Sequence, residues 1–186
     1  RRSTVAALEE FAKVYGLRTR KALMGFENET QQEIALLYDP DAVTARHDPQ
    51  GDPSGPEGAH GAPRFDTAFR WDLDIDATSE IVTFSKPPLE VAARTSSGVD
   101  LRLIGVHVKS KAPFGARGKA AVLRTSIQNR RKQLAQCIWL RARVEEHLAR
   151  NDRLVVLGDL NDGPGLDEYE KLFGHSGVEI VMGEDG

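Results

Sequence analysis

A strand, a long helix and a second strand occupy the latter half of this chain, and that order limits what it can fold into. LRLIGVHV (101–108) and the start of RLVVLGDLND (153–162) read as strands. Between them, Ala120 to Ala149 carries Ile127, Leu134, Cys137, Leu140, Val144 and Leu148 at spacings of 7, 3, 3, 4 and 4, a helical stripe. In 101–108, Leu101, Leu103, Gly105 and His107 share one strand face, and Ile104, Val106 and Val108 the other. Both faces are largely apolar, so both must be covered. The prediction is an α/β domain with helices packed outside a mixed sheet.

The remaining segments fit that frame. Residues 4–15 are predicted to form an amphipathic helix, with Ser3 as N-cap, an apolar face of Val5, Leu8, Phe11, Ala12 and Tyr15, and Gly16 as the stop. IALLYDP (34–40) reads as a strand buried on both faces. Residues 48–63 hold four Gly and four Pro in sixteen positions and are read as a loop inside the domain. Further strands are expected at Glu80–Phe84 and Leu89–Arg94, the latter joined to 101–108 through an SSGVD turn as an antiparallel pair, and a last short helix at Asp167–Phe173. A length of 186 residues suits one domain over 1–186, and 40% hydrophobic with 28% charged residues excludes a disordered or fibrous chain. No apolar run reaches membrane-spanning length, and the start, RRSTVAALEE, does not read as a secretory leader. One cysteine, Cys137, excludes an internal disulfide or a cysteine-built zinc site and is compatible with the cytoplasm.

The formal charge of −3 hides a local asymmetry. From Lys109 to Lys132 there are eight basic residues and no acidic one, a segment suited either to an anion or to plain solvation. Three places could carry chemistry. LVVLGDLND delivers Asp159 and Asn161 where a strand leaves the sheet, the position at which α/β proteins bind ligands; both are also ordinary turn formers. His107 ends its strand at the mouth of the basic segment, although a lone histidine on an apolar strand also serves as a bonded core residue. In FSKPPLEV the two prolines stiffen the segment that carries Lys86. Lys86, Lys109 and Arg131 are the candidate phosphate-binding cations, whereas Arg124 reads as solvated.

In this order and spacing, EIALLYDP, FSKPPLEV, LIGVHVKSK, the RRKQLAQ helix and VVLGDLNDGP resemble the endonuclease/exonuclease/phosphatase family, the superfamily of deoxyribonuclease I. The resemblance spans about Gly25 to Phe173. It implies a four-layer α/β sandwich, two mixed sheets flanked by helices, and hydrolysis of a phosphodiester with Mg²⁺ or Mn²⁺, the substrate being nucleic acid, phospholipid or a soluble phosphoester. On that likeness His107 bonds the scissile phosphate, Asp159 orients or activates the water, Asn161 steadies both, and Lys86 stands where many members have an arginine. Gln32 or Glu33 falls near a carboxylate partner of the histidine.

Two departures accompany the resemblance. The family's metal-binding Glu lies at an early Gln-Glu strand end, and its last motif is an Asp-His pair. Gln32-Glu33 precedes a strand, no Asp-His dipeptide occurs, and His175 has no acid before it. The expectation is an internal portion of a longer family member, with metal ligands unassigned. The alternatives are a catalytically inactive family fold used for binding, and an unrelated doubly wound α/β enzyme, which would need a glycine-rich phosphate loop that this sequence lacks.

Overall fold

The computed structural model describes residues 4–55, 61–71, 80–162 and 174–183. Along the chain these form α1 (Val5–Val14), β1 (Lys21–Met24), β2 (Ala35–Tyr38), β3 (Val43–His47), β4 (Phe69–Trp71), β5 (Glu80–Val82), β6 (Leu89–Thr95), β7 (Asp100–His107), α2 (Lys119–Ala149), β8 (Leu154–Asp159) and α3 (Gly177–Met182). The central sheet has the order β3-β6-β7-β8; β3, β6 and β7 pair antiparallel, and β7 pairs parallel with β8. Two smaller antiparallel pairs, β1-β2 and β4-β5, complete the strands.

Alternation along β7 divides the core as its sequence requires. Ile104, Val106 and Val108 turn toward α2, where they join Phe65, Phe84, Cys137, Trp139 and Leu140 in one cluster. Trp139 is fully buried, stacks on Phe69 at 5.5 Å and donates its indole N–H to the Pro63 carbonyl. The opposite face presents Leu101 and Leu103 beside Leu89, Val91 and Ala93, covered by Leu23, Ile34 and Leu36 of the β1-β2 region. Trp71 and Val82 of β4 and β5 pack on Leu134 and Ala135 of α2.

The α/β class and the β6-β7 hairpin are as the sequence predicts; other details differ. Among the described residues one sheet is mixed and the other two are antiparallel pairs, so they do not form two mixed sheets. β2 is half-buried rather than enclosed on both faces, because its layer is only two strands wide. β8 is the sheet's edge here, leaving Val155 and Leu157 each 48% exposed where a buried run was expected. Thr4, not Ser3, caps α1, its hydroxyl accepting from the Ala7 N–H. Only Ala12 of α1 is buried; Phe11 and Tyr15 lie against each other in solvent, 4.7 Å apart. β1, β3 and β4 were not anticipated, nor was α3, whose Ser176 and Glu179 form a reciprocal capping box. The helix expected at 167–173 lies outside the described residues.

The inner face of α2 is more polar than its apolar stripe implies, with Arg130, Gln133, Arg143 and His147 all buried. Arg143 accounts for the loop at 48–63. Its Nη2 donates to the Gln50, Ala62 and Pro63 carbonyls, and its Nε lies 3.1 Å from Glu90 Oε1. Glu90 Oε2 in turn accepts from the Gln50 N–H. The described parts of the loop are therefore held by main-chain bonds to one buried ion pair. Removing one member of such a pair leaves an uncompensated charge, which typically costs 3–5 kcal/mol. Arg143→Ala, which also removes the donor from the Gln50, Ala62 and Pro63 carbonyls, is therefore expected to lower unfolding free energy by about that amount in urea titrations above pH 8, where wild-type Glu90 is ionised.

Burial pushes the Glu90 carboxyl up to about 7, although the Arg143 charge opposes the rise. The folded state thus holds this proton more tightly than the unfolded chain does. Its contribution to stability is fully present below the ordinary carboxylate range and is lost as pH rises toward and through about 7. Wild-type melting temperature minus that of Glu90→Gln should fall between pH 5 and pH 8; a difference constant over that window would refute the burial argument.

Candidate functional site

Parallel strands end on the same side of a sheet, and the β7–β8 register sets His107 directly opposite Asp159. The pairing continues one step further, with the Val108 N–H donating to the Asp159 carbonyl at 2.9 Å. Gly158 lets Asp159 leave the strand at this angle. Its φ is +136°, and a Cβ placed there would overlap the Val106 backbone.

Beyond the strand the chain folds back at once. Asn161, in left-handed backbone at φ +50°, donates its main-chain N–H to Asp159 Oδ1 at 2.8 Å and its Nδ2 to the Val108 carbonyl at 2.8 Å. Asn161 thus fixes Asp159, and its amide group is partly engaged with β7. Gln133 of α2 holds the turn from beneath, donating to the Leu160 and Asn161 carbonyls at 3.0 and 2.9 Å. The buried Asp162 carboxylate collects Lys111 Nζ at 3.1 Å, Arg130 Nη1 at 3.3 Å and the Gly177 N–H. That carboxylate ties β8, α2, α3 and the basic loop together at one point.

Lys86 reaches the site from the Pro87-Pro88 segment, its Nζ 3.2 Å from His107 Nδ1. An ammonium has donors only, so Nδ1 must accept, and the neutral imidazole carries its hydrogen on Nε2. That nitrogen stands 3.9 Å from Asp159 Oδ2. The separation exceeds a hydrogen bond and leaves Nε2–H available to a ligand oxygen. A cavity of about 250 Å³ opens here, lined by Ser85, Lys86, His107, Lys109, Ser110, Phe114 and Gln136, among others. Gln136 braces its wall, accepting from the Lys109 N–H and donating to the Thr83 carbonyl.

Five of the sequence-derived candidates, Lys86, His107, Lys109, Asp159 and Asn161, therefore gather at one end of the sheet. Arg131 does not join them; it pairs with Glu80 Oε1 at 2.9 Å, on β5. Arg124 is exposed, as expected. Ile34 packs beside Gly105, which brings Gln32-Glu33, just before β2, toward the His107 end of the sheet. The sequence reading missed Gln133, Gln136 and Asp162. The only available signal was two glutamines three apart inside the apolar stripe of α2. A larger groove, about 430 Å³, crosses β3, β6 and β7 at the other end of the sheet, but Arg46 and Arg102 there share Asp48, and Arg94 faces Asp100.

Cys137 is no nucleophile, because complete burial pushes its thiol up to about 12. Nor do the described residues complete a divalent-metal site. Among them no three His, Cys, Asp or Glu side chains stand together; His107 has Lys86 on one ring nitrogen and the exposed Asp159 carboxylate 3.9 Å from the other. What the arrangement offers is a positively charged hollow with one directed N–H and one carboxylate at its rim.

Gly158→Ala tests whether the backbone at this strand end is obligatory. The variant should lose roughly 2 kcal/mol or more in stability, since an L side chain is strained at positive φ and here also meets main chain; urea denaturation measures it, and a neutral outcome would show that β8 can end differently. Comparisons with protein-family models, with curated proteins and with solved structures find no match to this chain.

Proposed function

We propose that this site binds a phosphodiester and promotes its hydrolysis. The observation that supports the reading best is the in-register pairing of His107 with Asp159 at two parallel strand ends, with Lys86 against the far imidazole nitrogen. In that arrangement a non-bridging phosphoryl oxygen accepts the Nε2 hydrogen, while Lys86 orients the imidazole from its other nitrogen and Lys109 adds positive charge to the hollow. Charge that grows on this oxygen during attack is then met by a donor already in place. Asp159 Oδ2 takes the proton of the attacking water while the Asn161 N–H holds Oδ1. The new P–O bond forms as the opposite ester P–O bond breaks, and the departing alkoxide takes a proton from solvent.

The sequence resemblance supports the same reading and extends it to the fold, with the four-stranded sheet and α2 as part of a four-layer deoxyribonuclease I-like sandwich. It also implies Mg²⁺ or Mn²⁺, for which the described side chains supply Asp159 but no complete set of ligands. A second reading is a family fold that binds phosphodiesters without cleaving them.

Cleavage of bis(p-nitrophenyl) phosphate and of plasmid DNA, with Mg²⁺, with Mn²⁺ and with EDTA, separates the two readings. Under the hydrolase reading, Asp159→Ala and His107→Ala each lower the rate by roughly 10²–10⁴-fold while leaving the fold, by circular dichroism, unchanged. Activity untouched by both substitutions would remove these residues from the chemistry. Binding without turnover would establish the second reading.

A further inference from the structure

Phe114 is the most exposed large apolar side chain among the described residues, at 81%, and it borders the candidate site's cavity. It does not hang from a loose loop. Asn129 Nδ2 donates to the Ala112 carbonyl at 2.8 Å, the Ala112 N–H donates to Ser110 Oγ at 3.2 Å, and Lys111 is held by Asp162. The chain turns tightly here, with Phe114 N–H to the Ala112 carbonyl and Ala116 N–H to the Pro113 carbonyl, and Gly115 at φ +78° lies inside the second turn. The loop is thus anchored on α2 and on the β8 turn, and it leaves a phenyl ring in water at the mouth of a cationic hollow. Lys109, Lys111, Arg117 and Lys119 surround it in sequence, with no acidic residue from 109 to 119.

We propose that the Phe114 ring is the stacking surface of a nucleobase subsite. A ligand whose phosphate lies on His107 extends toward the rim, where it meets an aromatic face flanked by cations. A planar base joined to a phosphodiester matches both halves of that surface. Stacking on an aromatic side chain tolerates any base, because every base has a π face. An acyl chain would also fit the ring, but the residues that flank it in sequence, Lys109, Lys111, Arg117 and Lys119, are basic and suit an anionic ligand. The inference rests on the phosphodiester reading above and gives that site a substrate class.

The test is equilibrium binding in EDTA, so that it does not depend on turnover. The probe is a dinucleotide containing 2-aminopurine, whose fluorescence is quenched on stacking, and the competitor is the same sugar–phosphate unit without bases. Phe114→Ala should weaken dinucleotide binding by roughly 5- to 100-fold and abolish the quench, while the base-free competitor binds wild type and variant alike. Phe114→Tyr should restore binding. Equal affinity of wild type and Phe114→Ala for the dinucleotide, or no dinucleotide binding by wild type, overturns the proposal. So does a Phe114→Ala defect confined to co-sedimentation with phosphatidylglycerol vesicles, which would make the ring a lipid contact. Failure of the phosphodiester reading looks different: Lys86→Ala and His107→Ala would leave dinucleotide affinity intact while Phe114→Ala still lowered it.

Discussion

Two parallel strands can lie side by side only if the chain returns across the sheet between them, and here α2, 31 residues long, makes that return between β7 and β8. The helix is therefore both connection and covering layer. Its apolar side chains close the core over Ile104, Val106 and Val108, and its Gln133 reaches past that core to hold the turn after β8. Because both strands end at the same edge, the last residue of each is delivered to one place. His107 and Asp159 come from positions fifty-two apart in sequence and meet because the ladder between Arg102–Leu154 and His107–Asp159 keeps register without a bulge.

Buried charge is used here to join elements that apolar contact alone would leave independent. Arg143 with Glu90 fastens the glycine- and proline-rich loop to α2 and β6, while Asp162 with Arg130 and Lys111 fastens the β8 turn, α3 and the basic loop. A third link, His147 to Asp152 at 2.8 Å, sets where α2 stops and β8 begins; burial lowers the histidine's proton affinity while the bond lowers the aspartate's. Replacing such pairs with hydrocarbon often leaves stability unchanged or raises it, so their value lies in fixing one arrangement of the loops.

Long periodic segments were legible in the sequence because their side-chain pattern and their environment agree. The α2 stripe, the β6-β7 hairpin and the β7 and β8 strands follow from spacing alone, whereas the grouping of Lys86, His107, Lys109, Asp159 and Asn161 was expected from the family resemblance. Three of the short strands were not legible. β1, β3 and β4 have three to five residues each, too few to show a period, and VTARH in β3 alternates exposed with half-buried positions around polar side chains. Burial on both faces was over-read for IALLYDP and for Leu154–Leu157, since an apolar run states what a strand can bury and not whether a neighbour is there to bury it. Arg131 was misplaced for a related reason: helical spacing gives the face of α2 but not the partner, and Glu80 on β5 holds that guanidinium. Gln133, Gln136 and Asp162 left almost no trace, because amides and carboxylates that act on main-chain atoms three elements away have no local pattern.

Cys137 sits where Ile104, Val106 and α3 close on the middle of α2, and Gly177 approaches its sulfur so closely that no side chain would fit between them. Shielded from water and held in its protonated form, the only thiol of the chain is invisible to alkylating reagents for as long as the helix stays seated. Modification rate at this single atom therefore reads out how often the helix layer lifts from the sheet. The protein carries its own clock for the opening that would also release Gln133 from the Asp159 turn.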